Sequence, residues 1–234
     1  MPHTFVLVHG AWHGGWCWRR VSDLLEAKGH KVFTPTLTGL GDRSHLLQPG
    51  IDLSTHVTDV VNLIKWERLS GIVLCGHSYG GMVISGVAEQ AADKIASLVF
   101  LDAFVPDNGD AVVDLTGPLV LKALRAAQEK GDPGIPPRPA EAFGVNPADR
   151  AWVDGKCVVQ PIATFTEPIR LTGARERIGK KAYIRAASYA NPGFDKALDR
   201  LKGAAAWRTY GVPCGHDVMV DMPERLAEIL IEVA

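Results

Sequence analysis

Gly71-Ile72-Val73-Leu74-Cys75-Gly76-His77-Ser78-Tyr79-Gly80 joins an apolar, β-branched run to a small-residue stretch, Gly81 through Ala88, that reads as a helix. Its second half, Gly76-His77-Ser78-Tyr79-Gly80, has the pattern GxSxG. A serine hydroxyl is a weak nucleophile until a base takes its proton, so the backbone must project it into a cleft that a histidine can reach. A strand-to-helix turn with a glycine two residues on either side does this. Gly76 and Gly80 let strand and helix approach closely while Ser78 takes a strained conformation. The bland alternative is a glycine-rich turn carrying an ordinary serine. The strand before it and the helix after it favour Ser78 as a candidate nucleophile.

Outward from this turn, short aliphatic runs at residues 5–8, 31–34, 72–75, 97–101, 182–185 and 207–212 read as strands. Helical patterns fall at 16–28, 53–66, 82–90, 195–201 and 223–233. In the last, Leu226, Ile229, Leu230 and Val233 keep the spacing that turns one helix face to a core, with Pro223 suited to the first turn. Apolar strands alternating with helices predict an α/β fold, doubly wound, with a mostly parallel six-stranded sheet covered by helices on both faces. Between residues 107 and 178 the alternation fails, and Pro133, Pro136, Pro137, Pro139 and Pro147 make the middle of it poor material for a sheet. The expected organisation is a core of residues 1–106 and 179–234 with a cap insertion at 107–178, holding helical pieces near 118–130 and 148–156. A strand end on the Ser78 side of the sheet leads into this insertion, which is where open α/β sheets bind ligands.

The chain has 234 residues, 47% hydrophobic and 22% charged, with mean hydropathy near zero, enough for one domain with a substantial core. Its 25 basic and 26 acidic residues give a net charge of -1 and no strong basic cluster, so no nucleic acid partner is expected. Cys17, Cys75, Cys157 and Cys214 are far apart and lack CxxC spacing, which predicts neither a zinc site nor a disulfide framework. Met1-Pro2-His3-Thr4 runs directly into the first strand without a basic or long apolar leader. A cytoplasmic protein that does not enter a membrane is the expectation.

Acyl transfer by serine needs a base, a group that orients it, and donors for the oxyanion. His216, in Val212-Pro213-Cys214-Gly215-His216-Asp217 between the last strand and last helix, is the best-placed base. His3, His30, His45 and His56 read as solvated or structural, and His77 should point away from its neighbour Ser78. After the first strand, His9-Gly10-Ala11-Trp12-His13-Gly14-Gly15-Trp16 forms a turn whose amides can face the cleft. This nominates the backbone N–H groups of Ala11 and Tyr79 as oxyanion donors, with His9 and His13 fixing the loop. Gly10, Trp12, Phe104 and Met219 are candidate substrate-binding residues, and Trp16, Val105, Trp152 and Phe165 are further apolar candidates for the pocket.

These blocks, together with Gly76 through Met82, Phe100-Leu101-Asp102-Ala103-Phe104-Val105-Pro106 and Gly215-His216-Asp217, resemble the α/β-hydrolase superfamily. Within it the chain is similar to the small esterase and hydroxynitrile lyase group that includes plant methylesterases. The resemblance implies cleavage of small esters or related acyl compounds with no metal or organic cofactor. It also implies a sheet that starts at the family's third strand, and it allows a homodimer.

Two departures bear on mechanism. The lyases of this group carry threonine where Gly10 stands and lysine where Asp217 stands, so cyanide-releasing chemistry is disfavoured here. Relatives similar to plant methylesterases place the triad acid after the next-to-last strand, yet Ala182 through Pro192 holds no carboxylate. Asp102, at the end of the strand after the nucleophile's helix, looks like the alternative acid position of some haloalkane dehalogenases and lipases. It is favoured over Asp195, which a loop excursion could return to His216, and over a merely structural Asp102. The leading expectation is a serine esterase using Ser78, His216 and Asp102 on a small-molecule ester. An amidase or lactonase, a lyase-like enzyme on the same triad, and a ligand-binding receptor that keeps the pocket remain as alternatives.

Overall fold

A computed structural model describes residues 2–234. The chain order is β1 (Thr4–Val8), α1 (Arg19–Glu26), β2 (Lys31–Phe33), α2 (Leu53–Trp66), β3 (Ile72–His77), α3 (Gly80–Ala91), β4 (Ile95–Leu101), α4 (Val112–Leu115) and α5 (Pro118–Lys130). It continues with β5 (Gly134–Ile135), α6 (Arg150–Asp154), β6 (Gln160–Pro161), α7 (Ala163–Thr166), β7 (Lys180–Ala186), α8 (Pro192–Leu201), β8 (Trp207–Val212), α9 (Val218–Asp221) and α10 (Pro223–Glu232). Six strands form one sheet in the order β2-β1-β3-β4-β7-β8, every neighbouring pair parallel. From β1 the chain steps one way to β2 and then returns across the sheet. Right-handed crossovers therefore put α1 on one face and α2, α3 and α8 on the other. α10 packs with α1, and α2 with α3.

The central strands are buried throughout: Val6, Leu7 and Val8 of β1, Leu74 and Cys75 of β3, and Leu98 to Leu101 of β4 are all inaccessible to solvent. That is why they read as continuous apolar runs rather than as alternating ones. The helix expected from residue 16 opens instead with a 3-10 turn, Gly15–Trp18, before α1. The proline-rich middle does contain strand. Gly134 and Ile135 pair antiparallel with Pro161 and Gln160 in a two-residue ribbon, short enough to need no long run of donors. Among the described residues no helix is long and apolar enough to cross a membrane, and all four cysteines are free thiols.

The turn after β3 is tightly closed. A Cβ on Gly76 would stand 2.5 Å from the Gly80 carbonyl oxygen and 3.0 Å from Ile84 Cδ1, and one on Gly80 would stand 2.9 Å from the carbonyl oxygens of Val8 and His9. Gly76→Ala is therefore expected to lower folding stability by about 2 kcal/mol in urea unfolding, as overpacking against backbone does. Gly179→Ala, whose Cβ would meet nothing within 4 Å, should change it by less than about 0.5 kcal/mol. Equal effects of the two would show that strand–helix proximity does not constrain residue 76.

Candidate active site

Ser78 and Asp102 immediately follow the adjacent strands β3 and β4, whose last residues, His77 and Leu101, are register partners. Both adopt the left-handed conformation, at φ 53° and 42°. Such conformations cost a non-glycine residue on the order of 1–2 kcal/mol each. Backbone hydrogen bonds hold them there: Ser78 N–H donates to the Leu101 carbonyl at 3.1 Å, Phe104 N–H to the Ser78 carbonyl at 3.2 Å, and Asp102 N–H to the Ile184 carbonyl at 2.6 Å.

Asp102 is fully buried, and its Oδ2 lies 2.6 Å from His216 Nδ1. With the carboxylate accepting from Nδ1, a neutral ring carries its lone pair on Nε2. The other carboxylate oxygen accepts from Arg185 Nη1 at 2.7 Å and from the Ala186 amide at 3.1 Å. Arg185 also donates to the carbonyls of Ala186 and Tyr189, and its Nε reaches Asp195 Oδ1 at 2.9 Å. The two carboxylates weighed from sequence are thus joined through one guanidinium, with Asp102 on the imidazole and the half-exposed Asp195 behind the arginine. The sequence reading assigned Arg185 no role. A cationic residue within the buried run Ala182–Ala186 was the available signal, since a buried charge requires a partner.

The His216 ring is clamped between aromatic neighbours. Tyr189 stacks on it at 4.7 Å and Phe194 at 5.6 Å, with Phe143 at 5.5 Å. Its backbone N–H donates to the Phe143 carbonyl at 2.8 Å, and its carbonyl accepts from His77 Nε2 at 3.1 Å. His77 is therefore committed to the backbone carbonyl of His216. Burial, reinforced by His216, holds it well below the ordinary histidine value.

The loop after β1 is fixed by paired contacts. His9 Nδ1 lies 2.8 Å from the Gly10 carbonyl and its Nε2 accepts from Leu37 N–H at 3.1 Å, which makes the ring neutral. Burial lowers its pKa to about 3. His13 Nδ1 lies 2.8 Å from the Ala11 carbonyl and its Nε2 lies 3.1 Å from Asp217 Oδ2, an arrangement that needs a proton on both nitrogens. Burial alone would depress His13, yet the Asp217 charge raises it well above the ordinary value. Asp217, which burial alone would raise, is held far below the usual carboxylate range by His13. Trp12 N–H donates to Gln160 Oε1 at 3.0 Å. Among the described residues the Ala11 and Tyr79 N–H groups have no acceptor. The Tyr79 ring points elsewhere, its hydroxyl 2.9 Å from Nδ1 of the buried His56.

Ser78, His216, Ala11 and Tyr79 line one cavity of about 370 Å³. Its walls are mainly apolar, with Trp12, Phe104, Phe165, Phe143 and Val112 prominent, and Arg138, Thr116, Tyr189 and Asn191 as polar members. Trp12 and Phe104 thus stand where the sequence analysis placed them. Met219 does not: it lies in α9, fully buried in the core and off the cavity wall. Gly10 is also off the wall, and a Cβ there would stand 2.9 Å from His77 Nδ1 and 3.0 Å from Ser78 Cβ. Trp16 and Trp152 pack edge to face on each other instead, and Val105 also lies away from the cavity. His77, His216 and Asp217 offer ligand atoms within 4.8 Å of one another. Each is already engaged within the protein: His216 with Asp102, Asp217 with His13, and His77 with the His216 carbonyl.

Removing either ionic partner should be measurable. Arg185→Met is expected to cost about 3 kcal/mol of folding stability by leaving the buried Asp102 short of a partner, against less than about 1 kcal/mol for Asp195→Asn at the exposed end. Urea unfolding that reversed this order would contradict the network. The His13–Asp217 pair stabilises fully between the two ordinary values, 3.8 and 6.5. Its Asp217 part is lost as pH falls through that group's folded value, and its His13 part as pH rises from 6.5 through the raised one. The penalty of Asp217→Asn, about 3 kcal/mol at about pH 5.5, should therefore shrink toward about pH 8.5. A pH-independent penalty would show that His13 is not protonated in the fold.

Comparison with known proteins agrees with this architecture. Residues 5–229 match the model described as Alpha/beta hydrolase family. A carbendazim hydrolyzing esterase of Nocardioides sp. (strain SG-4G) is 45% identical over 97% of this chain and 98% of its own length. Salicylic acid-binding protein 2 of Nicotiana tabacum is 41% identical over 107 residues, 44% of this chain and 40% of that protein. An extracellular alpha/beta-hydrolase from a Paenibacillus species superimposes with a TM-score of 0.85 at 25% identity, covering 100% of this chain and 99% of that one. With nearly its whole length matched and its sheet order and strand-end turn in place, the chain belongs to the alpha/beta hydrolase family.

Proposed function

We propose that this protein is a serine hydrolase that cleaves small carboxylic esters through an acyl-enzyme on Ser78. The observation that carries the reading is the 2.6 Å contact of buried Asp102 with His216 Nδ1, with His216 and Ser78 on the wall of one cavity. In this reading His216 Nε2 takes the Ser78 proton as Oγ attacks the ester carbonyl. The oxyanion is received by the Ala11 and Tyr79 amides, each worth on the order of 3 kcal/mol to the transition state. His216 then returns its proton to the leaving alcohol. A water, deprotonated in turn by His216, releases the acid and restores Ser78. Asp102 orients the ring and stabilises the imidazolium throughout. No metal or organic cofactor takes part in these steps.

The relative from Nocardioides, described as an esterase and matched over almost the full length, supports ester cleavage. Residues 107–178 act as the cap in this account, since Val112, Arg138, Phe143 and Phe165 contribute to the cavity wall. A cyanide-releasing activity is not supported. Position 10 has no room for a threonine side chain beside Ser78, and position 217 is an aspartate tied to His13. The four free thiols suit a reducing compartment such as the cytoplasm, although the Paenibacillus relative is described as extracellular.

Ser78→Ala is expected to lower kcat on p-nitrophenyl acetate by about four orders of magnitude or more. Unchanged turnover would refute the nucleophile. Asp102→Asn should lose about four orders of magnitude with folding intact, and Asp195→Asn less than about tenfold. The opposite ranking would move the acid to Asp195.

A further inference from the structure

The cavity carries one permanent charge that the proposed chemistry does not use. Arg138 is half-buried on its wall, and no lysine, aspartate or glutamate lines the cavity beside it. The guanidinium carbon stands 5.1 Å above the Phe143 ring, and the same ring is 5.5 Å from the His216 imidazole. Cation and candidate base therefore share one phenyl ring as a spacer. The other arginines that are not exposed have carboxylate partners: Arg43 with Asp59, Arg150 with Glu141, Arg175 with Glu176 and Arg185 with Asp102. Among the described residues Arg138 has none, and the remaining unpaired arginines are exposed.

The segment that carries Arg138 is stiff. Pro136, Pro137 and Pro139 surround it, each with a fixed φ. On one side the Ile135 carbonyl accepts from Trp12 Nε1 at 3.0 Å, and on the other Ala140 N–H donates to Asp154 Oδ1 at 2.7 Å. The backbone at Arg138 is thus held at the cavity, and its guanidinium, resting on the Phe143 ring and partly withdrawn from water, has no internal acceptor. A planar carboxylate complements the guanidinium fork in charge and geometry, and a pre-placed cation loses little entropy on receiving it.

We propose that Arg138 is a specificity-determining residue that selects esters bearing a second, anionic group, a carboxylate a few bonds from the scissile carbonyl. The proposal rests on the serine hydrolase reading given above. Selection arises because a neutral ester leaves the guanidinium half-desolvated and unpaired, whereas a half-ester of a dicarboxylic acid completes it.

The test compares monomethyl glutarate with methyl 5-methylhexanoate, which replaces the carboxylate by an isopropyl group of the same shape. Wild-type kcat/KM is expected to favour the half-ester by about tenfold or more, with the preference weakening as salt rises. Arg138→Gln should lower the ratio of the two values by about tenfold, chiefly through the KM of the half-ester. Arg138→Lys, which keeps the charge and loses the fork, should fall between. A wild-type enzyme that shows no preference for the half-ester, or a ratio unchanged in Arg138→Gln, overturns the assignment of Arg138. Turnover of p-nitrophenyl acetate separates the two failures: if it persists, only this assignment falls, and if it is absent, the hydrolase reading falls with it.

Discussion

A carboxylate with no access to water stands at the end of β4, and the site depends on keeping it partnered. Burying an isolated carboxylate costs several kcal/mol. Asp102 offsets that cost with three donors, from His216, Arg185 and the Ala186 amide. Those donors come from two other strand ends, β7 and the loop after β8. The sheet order β3-β4-β7-β8 is what lets one side chain gather them. The strained backbone at Asp102 and at Ser78 persists because hydrogen bonds from adjacent strand ends over-determine both positions.

A second ionic pair, His13 with Asp217, adjoins His216. Asp217 follows His216 in sequence and holds His13, whose other nitrogen is on the Ala11 carbonyl. His9 lies against the Gly10 carbonyl, which belongs to the peptide unit that presents the Ala11 N–H. A hydrogen bond to the oxygen of a peptide polarises its N–H, so His9 orients and strengthens the donor proposed for the oxyanion. The loop proposed to face the substrate is thereby tied to the loop that carries His216, the proposed base. The neutral His9 and the charged His13 divide the work by environment, one facing only backbone groups and the other a buried carboxylate.

The middle of the sheet was legible because β1, β3 and β4 are buried on both faces and read as apolar runs. The turn at Ser78 was legible because two close approaches, at Gly76 and Gly80, leave glycine as the residue that fits. Asp102 could be located as a strand end, but its arginine partner could not. Arg185 is 83 residues away, and nothing local announces which strand end it meets. The His13–Asp217 pair, 204 residues apart, was hidden for the same reason. Met219 was misplaced because periodicity cannot distinguish an apolar side chain that faces a cavity from one that faces the core. The ribbon of β5 and β6 escaped because two residues per strand, with proline among them, give no alternating pattern.

In the proposed reaction, acyl groups pass through Ser78 oriented by this buried network. The most direct measurement is mass spectrometry of peptides from protein treated with a fluorophosphonate. A single covalent adduct is expected, on the peptide containing Ser78. The absence of an adduct, or its appearance on another residue such as Cys157, would contradict it.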